Sequence, residues 1–194
     1  QQAPALLGLR ACSLNEGSYL QSNSPEGAGT SWGSRDATIA WQLDYDGTLA
    51  NGAVVQLKSQ CTDESCEDIG DYFHSNAGQG GGSSWGDSDP DSGWIIEWDD
   101  ESLVSGGVVY LRANCPEGSE SSVCRESGTY FRSNSVEGAG QSFGDKNYQY
   151  TWTLEWDGAA TAPPASGSTV YLGSHCHGLD SVWTSPEGES VAED

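Results

Sequence analysis

Residues 128–144 read GTYFRSNSVEGAGQSFG, and the same phrase stands at residues 17–33 as GSYLQSNSPEGAGTSWG and at residues 70–86 as GDYFHSNAGQGGGSSWG. A shorter echo, SVWTSPEGES, occupies residues 181–190. Each full copy runs from a Tyr-Leu or Tyr-Phe pair through Ser-Asn into a glycine-rich turn, and closes on Ser, an aromatic residue and Gly. Recurrence at a long fixed period defines an architecture before any local pattern does, because each unit must bury its apolar face against its neighbours. The aromatic pairs and the Trp or Phe that follow the turn predict two short strands, joined as a hairpin by the glycines.

Working outward, two further kinds of strand repeat. Trp41, Leu43 and Tyr45 alternate with polar residues, as do Trp94, Ile96 and Trp98, and Trp152, Leu154 and Trp156. Alternation of period two sends all the large residues of such a strand to one face. Trp41, Leu43, Trp94, Ile96, Trp152 and Leu154 are therefore expected in one buried cluster with three-fold pseudo-symmetry. Each of these strands runs into an acidic turn: Asp46-Gly47, Asp99-Asp100 and Asp157-Gly158. The third kind is a β-branched run that closes on cysteine. It appears four times, as residues 6–12 (LLGLRAC), 54–61 (VVQLKSQC), 108–115 (VVYLRANC) and 170–176 (VYLGSHC). No window carries sustained helical spacing, and the chain reads as all-β.

The alternating strands recur at 53 residues from Trp41 to Trp94 and at 58 from Trp94 to Trp152. Four strand-sized pieces fit each period, so three periods supply twelve strands. The order Gly-x-Tyr-Leu/Phe-x-Ser, glycines, Trp-x-Leu/Ile-Glu, then Val-x-Leu resembles the repeat of β-trefoil proteins, especially the fascin-like and MIR-type ones. The resemblance implies twelve strands in three lobes and a non-enzymatic, surface-binding role, and it carries over no functional residue. Under it, one domain covers residues 1–194, with units at about 5–50, 51–103 and 104–160 and an extra C-terminal half repeat at 166–194. That surplus and the cysteines of the first hairpin depart from the pattern, and a β-sandwich or open β-array built from the same units is the alternative.

The chain of 194 residues carries 7 basic and 29 acidic side chains, a formal charge of −22. Nucleic acid and anionic membrane surfaces demand a basic footprint and are excluded as partners. No run is long and apolar enough to span a bilayer. With 8 Trp, 8 Tyr and 3 Phe, the composition is that of a packed chain despite the charge. Six cysteines and no methionine point to an oxidising, extracellular setting. The opening Gln1-Gln2-Ala3-Pro4 reads as a mature end left by signal cleavage.

The repeats select among the fifteen pairings that six cysteines allow. Cys61 with Cys66 and Cys115 with Cys124 each close a local loop in equivalent hairpins. Cys12 and Cys176 remain and are expected to bond, within one molecule in a closed ring and between molecules in an open array. A zinc site is the competing reading of the cysteines, against which stands the absence of a tight Cys-x-x-Cys spacing.

Three groups of residues are candidates for chemistry. Asp87, Asp89 and Asp91 place carboxylates at alternate positions, the hard oxygen donors that calcium prefers; the equivalent stretches of the other units carry Arg35 and Lys146, and a solvated acidic turn is the competing reading. The repeated glycine-rich hairpins offer Asn23, Glu26, Asn76, Asn134 and Glu137 beside the aromatic Trp32, Trp85 and Phe143. Carbohydrate recognition uses polar groups around an aromatic plate, and three copies would add avidity; turn chemistry and barrel plugging explain the same residues without a ligand. For catalysis there is little: His74, His175 and His177 are the only histidines, and no Gly-x-Ser-x-Gly elbow precedes a helix. The sequence thus predicts a secreted, lectin-like binding protein with no cofactor unless calcium, its partner a carbohydrate or another extracellular protein. The alternative is an acidic extracellular structural subunit that self-assembles through its terminal half repeat.

Overall fold

A computed structural model describes residues 19–20, 22, 32–33, 40–60, 72–75, 85–118, 124, 129–133, 143–147 and 150–174. Twelve strands lie in them: β1 (Tyr19–Leu20), β2 (Trp32–Gly33), β3 (Ala40–Asp44), β4 (Val54–Ser59), β5 (Tyr72–Phe73), β6 (Trp85–Gly86), β7 (Trp94–Glu97), β8 (Gly107–Ala113), β9 (Tyr130–Phe131), β10 (Phe143–Gly144), β11 (Thr151–Trp156) and β12 (Ser168–Ser174). The fold is all-β and its pairings are antiparallel.

Six of the strands close into a barrel. β3 pairs with β4, β4 with β7, β7 with β8, β8 with β11, β11 with β12, and β12 returns to β3. The open array is thereby excluded, since no barrel strand is left with an unpaired edge. The remaining six strands form three hairpins, β1–β2, β5–β6 and β9–β10, which hang from β12, β4 and β8. Their anchor points are equivalent: Gly173 opposite Tyr19, Lys58 opposite Tyr72, Arg112 opposite Tyr130. All three lie toward the C-terminal ends of their barrel strands, which is one end of the barrel, where β3, β7 and β11 begin.

The interior is built in threes. Leu43, Ile96 and Leu154 come from the alternating strands, and Val55, Val109 and Val170 with Leu57, Leu111 and Leu172 from the other three. All nine are at most 1% exposed. Trp41, Trp94 and Trp152, wholly buried, fill the hairpin end together with Phe73 and Phe131, which stack on them at ring-centroid distances of 4.8–5.4 Å. Each indole donates its one hydrogen bond to the backbone of its own hairpin: Trp41 Nε1 to the Leu20 carbonyl at 3.1 Å, Trp94 to Phe73 at 2.8 Å, and Trp152 to Phe131 at 3.0 Å. Each bond spans 21 residues of chain.

At the opposite end a backbone device closes each turn into β4, β8 and β12. Gly106 has φ +84°, a conformation that side chains disfavour, and there its N–H reaches the Leu154 carbonyl of the next alternating strand at 2.8 Å. Gly52 and Gly167 repeat the arrangement, donating to Ile96 and Leu43 at the same distance.

The expected clustering of the six alternating core residues is what the structure shows. The expectation for the C-terminal surplus needs correction. Residues 168–174 are not an appendage to a finished ring; they are its sixth barrel strand, because β12 supplies the partner that both β11 and β3 require. Residues 5–18, expected to begin the first unit, lie outside the described residues.

Replacing Trp152 with Ala removes a wholly buried indole and its hydrogen bond and should cost about 3–5 kcal/mol, measured by chemical denaturation. A variant as stable as the wild type would refute the central place given to this ring. Ser75 offers a finer test. Its buried hydroxyl donates to the Gly93 carbonyl and accepts the Asn114 N–H. Ser75→Ala leaves both backbone groups unpaired and should cost about 1–3 kcal/mol.

Candidate binding surface

The hairpins are the repeated feature of the sequence, and three sets of contacts fix their bases. The first is the indole bond to the carbonyl of Leu20, Phe73 or Phe131. The second comes from the serine two residues further on: Ser22, Ser75 and Ser133 are all buried. Ser22 donates to the Ala40 carbonyl and Ser75 to the Gly93 carbonyl, in each case the residue just before the tryptophan. Hydroxyls at these positions satisfy carbonyls at the mouth of the barrel that water cannot reach.

The third set joins each hairpin to the unit before it. Tyr72 donates its hydroxyl to Asp44 Oδ2 at 3.1 Å, Tyr130 to Glu97 Oε2 at 2.8 Å, and Tyr19 to Glu155 at 3.0 and 3.2 Å. The acceptors stand three residues after Trp41, Trp94 and Trp152, on the outward face of the alternating strands. The Tyr19–Glu155 contact links residues 136 apart in sequence and so ties the first hairpin to the last unit. Sequence reasoning passes over these residues because a tyrosine beside a turn and an acid on a strand's polar face are individually unremarked. The signal lies in the comparison of repeats, which shows tyrosine and carboxylate recurring at matched positions.

Charge is most concentrated around Glu97. Arg112 Nε lies 2.8 Å from its Oε1, and Lys146 Nζ is 3.8 Å from Oε2 and 2.7 Å from Asp99 Oδ1. The Lys146 ammonium also sits 4.3 Å from the centroid of the Tyr110 ring. These pairs are partly solvated, so their attraction is modest. Burial, reinforced by the Asp99 carboxylate, pushes the Tyr110 phenol from its ordinary 10.0 up to about 12. Tyr130 is also raised, first by burial and then by its hydrogen bond to Glu97.

Of the residues proposed for ligand contact, Asn23, Glu26, Asn76, Asn134 and Glu137 lie outside the described residues. The backbones of Trp32 and Trp85 form β2 and β6, opposite Leu20 and Phe73. Phe143 occupies the same place in β10, opposite Phe131. Its half-buried ring packs parallel to Trp94, 6.3 Å between centroids and 6° between planes, and against Phe131 at 5.5 Å. It extends the core stack. The closing glycines of two hairpins have a steric cause. A Cβ on Gly144 would overlap the Tyr150 hydroxyl, and one on Gly86 would overlap the His74 ring.

Asp87, Asp89 and Asp91 are exposed and are not gathered on a common point. Asp89 caps a short 3-10 turn at Pro90–Ser92. One of its oxygens accepts the Asp91 N–H and the other the Ser92 hydroxyl, both at 3.0 Å. Among the described residues no group of three or more His, Cys, Asp or Glu side chains is placed to hold a metal ion. His74 Nε2 lies 3.1 Å from the Asp87 carbonyl oxygen. The Cys115–Cys124 disulfide is formed, with its Cα atoms 5.5 Å apart, as the repeat logic expects. The predicted Cys61–Cys66 and Cys12–Cys176 bonds lie outside the described residues. No described helix is long and apolar enough to cross a membrane.

No protein-family model, curated protein or solved structure matches the chain.

Tyr110 and Tyr130 give the surface a pH signature. Both folded-state values are raised, so the folded chain holds these two protons more tightly than the unfolded one. The resulting stabilisation is complete below the unfolded value near 10 and is lost as pH rises through the folded value, about 12 for Tyr110. Equilibrium denaturation between about pH 9 and pH 12, on either side of the ordinary phenol value of about 10, should therefore show stability falling, and Tyr110→Phe should fall less steeply than the wild type. Identical slopes would contradict the assignment.

Proposed function

We propose that this chain is a secreted, β-trefoil-like protein without enzymatic activity, which binds carbohydrate in a lectin-like manner through the polar residues of its three glycine-rich hairpins. One observation supports this above the rest: the strand pairs β1–β2, β5–β6 and β9–β10, between which these polar residues stand in sequence, are anchored at equivalent points at the same end of the barrel. Asn23 and Glu26 of the first unit recur in sequence as Asn76 of the second and as Asn134 and Glu137 of the third. Repetition of this kind turns weak single contacts into useful avidity toward a repeating polymer such as a glycan. Planar amide and carboxylate groups suit vicinal hydroxyls, and the Tyr–carboxylate contacts hold the hairpin bases in place, which limits the entropy lost on binding. The trefoil reading rests on the six barrel strands and three hairpins, each in three matched parts, beside the repeat pattern. Because Phe143 is engaged by Trp94, the polar side chains rather than this ring carry recognition in the third unit.

A structural subunit assembling through its terminal half repeat has less support, since β12 completes the barrel of its own chain. Calcium is given no role in this reading.

The test is a glycan array probed with the full-length chain, followed by calorimetry on any sugar retained. Asn134→Ala combined with Glu137→Ala should weaken binding to a polymeric glycan by about 10- to 100-fold, the scale on which losing one of several linked contacts acts, while leaving the melting temperature unchanged. Absence of binding to every glycan class, or unaltered binding by the double variant, would overturn the proposal.

A further inference from the structure

The barrel has three positions for the β-branched strand type, and the sequence contains four such strands. β4 and β8 hold two positions, and β12 holds the third. The remaining copy is residues 5–11, ALLGLRA. Its Leu9-Arg10-Ala11 is identical to Leu111-Arg112-Ala113 of β8, which sets the alignment: Leu7 with Val109 and Val170, Leu9 with Leu111 and Leu172.

Aligned in this way, residues 5–11 meet each requirement of the third position. Leu7 and Leu9 match the two inward residues, both fully buried in β12. Two details of β12 itself fit the position less well than its counterparts fit theirs. At the point opposite the hairpin tyrosine, β4 carries Lys58 and β8 carries Arg112, whose guanidinium reaches Glu97. β12 places Gly173 there, whereas residues 5–11 place Arg10, beside Glu155 in the role of Glu97. One residue on, Ser59 of β4 donates its hydroxyl to the Ser22 carbonyl at 2.6 Å and β8 has an alanine, Ala113. β12 puts Ser174 there, wholly buried, with its hydroxyl lacking a hydrogen-bond partner. A buried hydroxyl without a partner is disfavoured; Ala11 would remove it. Residues 11–18 are also enough to turn from this position into Tyr19, since hairpin loops close with fewer.

We propose that the barrel position held by β12 is a strand-accepting site whose alternative occupant is residues 5–11 of the same chain. The site selects a strand by two apolar residues spaced by one, then a basic and a small residue. Its two occupants exclude one another, so the chain has two closed forms. One has residues 168–174 in the barrel; the other has residues 5–11 there and 168–174 released.

Matched aspartate substitutions in the full chain test this. Leu111→Asp breaks a position with one claimant and should abolish the cooperative melting transition. Leu172→Asp breaks the equivalent residue where a second claimant exists, and should keep a cooperative transition and remain monomeric on size exclusion. Adding Leu9→Asp to Leu172→Asp should abolish it. Loss of the transition in Leu172→Asp alone would overturn the proposal, and so would a Leu172→Asp protein that folds only as a dimer, because the strand would then come from a second copy. Hydrogen exchange on the unsubstituted chain is an independent reading. Amides of 170–172 should exchange at least 10-fold faster than those of 109–111, about 1.4 kcal/mol in opening free energy, and Leu9→Asp should slow them. Equal protection of the two strands would also overturn it.

Discussion

Everything in this fold hangs on an indole N–H that has one place to go. Trp41, Trp94 and Trp152 lie where barrel meets hairpin, buried on every side, and each carries a single donor that water cannot satisfy. The acceptors they use are the carbonyls of Leu20, Phe73 and Phe131. That requirement sets the distance between each hairpin and its barrel strand and determines which residue of the hairpin turns inward. The buried serines and the tyrosine–carboxylate contacts follow from it. Once the carbonyl is fixed, the side chain two residues on meets the barrel mouth, and the tyrosine before it faces the neighbouring unit.

Much of this was legible from the residues. Alternation around Trp41, Trp94 and Trp152 identifies buried faces because a strand's period is two and a tryptophan can hardly be left in water three times over. The local Cys115–Cys124 bond follows from a hairpin repeated with both its cysteines. Other features carry two readings in sequence, for physical reasons. Serine before asparagine and glycine looks like turn chemistry, whereas Ser22 and Ser75 spend their hydroxyls on barrel carbonyls. Phe143 follows a glycine turn as an exposed plate would, yet stacking on Trp94 removes more apolar surface from water than leaving it at the rim. Asp89 reads in sequence as a cation ligand or as part of an acidic turn, and in the structure it caps a turn.

The largest difference concerns which strand closes the barrel. Residues 6–12 and 170–176 satisfy the same pattern, and pattern alone cannot rank two strands that differ at Gly8 and Tyr171, Arg10 and Gly173, Ala11 and Ser174. Ranking them requires the environment of each position: a carboxylate beside one, a dry pocket around another. Periodicity reports which face of a strand is buried and is silent about its neighbours across the ladder. The candidate binding residues are illegible for a related cause, as asparagine and glutamate among glycines obey turn rules and ligand rules equally well.

The Tyr19–Glu155 contact has a consequence for how such a chain can change over generations. In a linear array of repeats, units can be gained or lost at the ends, each addition burying one more interface. Here every hairpin is shared between two units, and the first is shared with the last, so there is no end at which to add. A fourth complete unit would have to open the barrel and widen it, leaving a hollow where Leu43, Ile96 and Leu154 now meet. Length can vary only in the connections, as it already does between Lys58 and Tyr72 and between Arg112 and Tyr130.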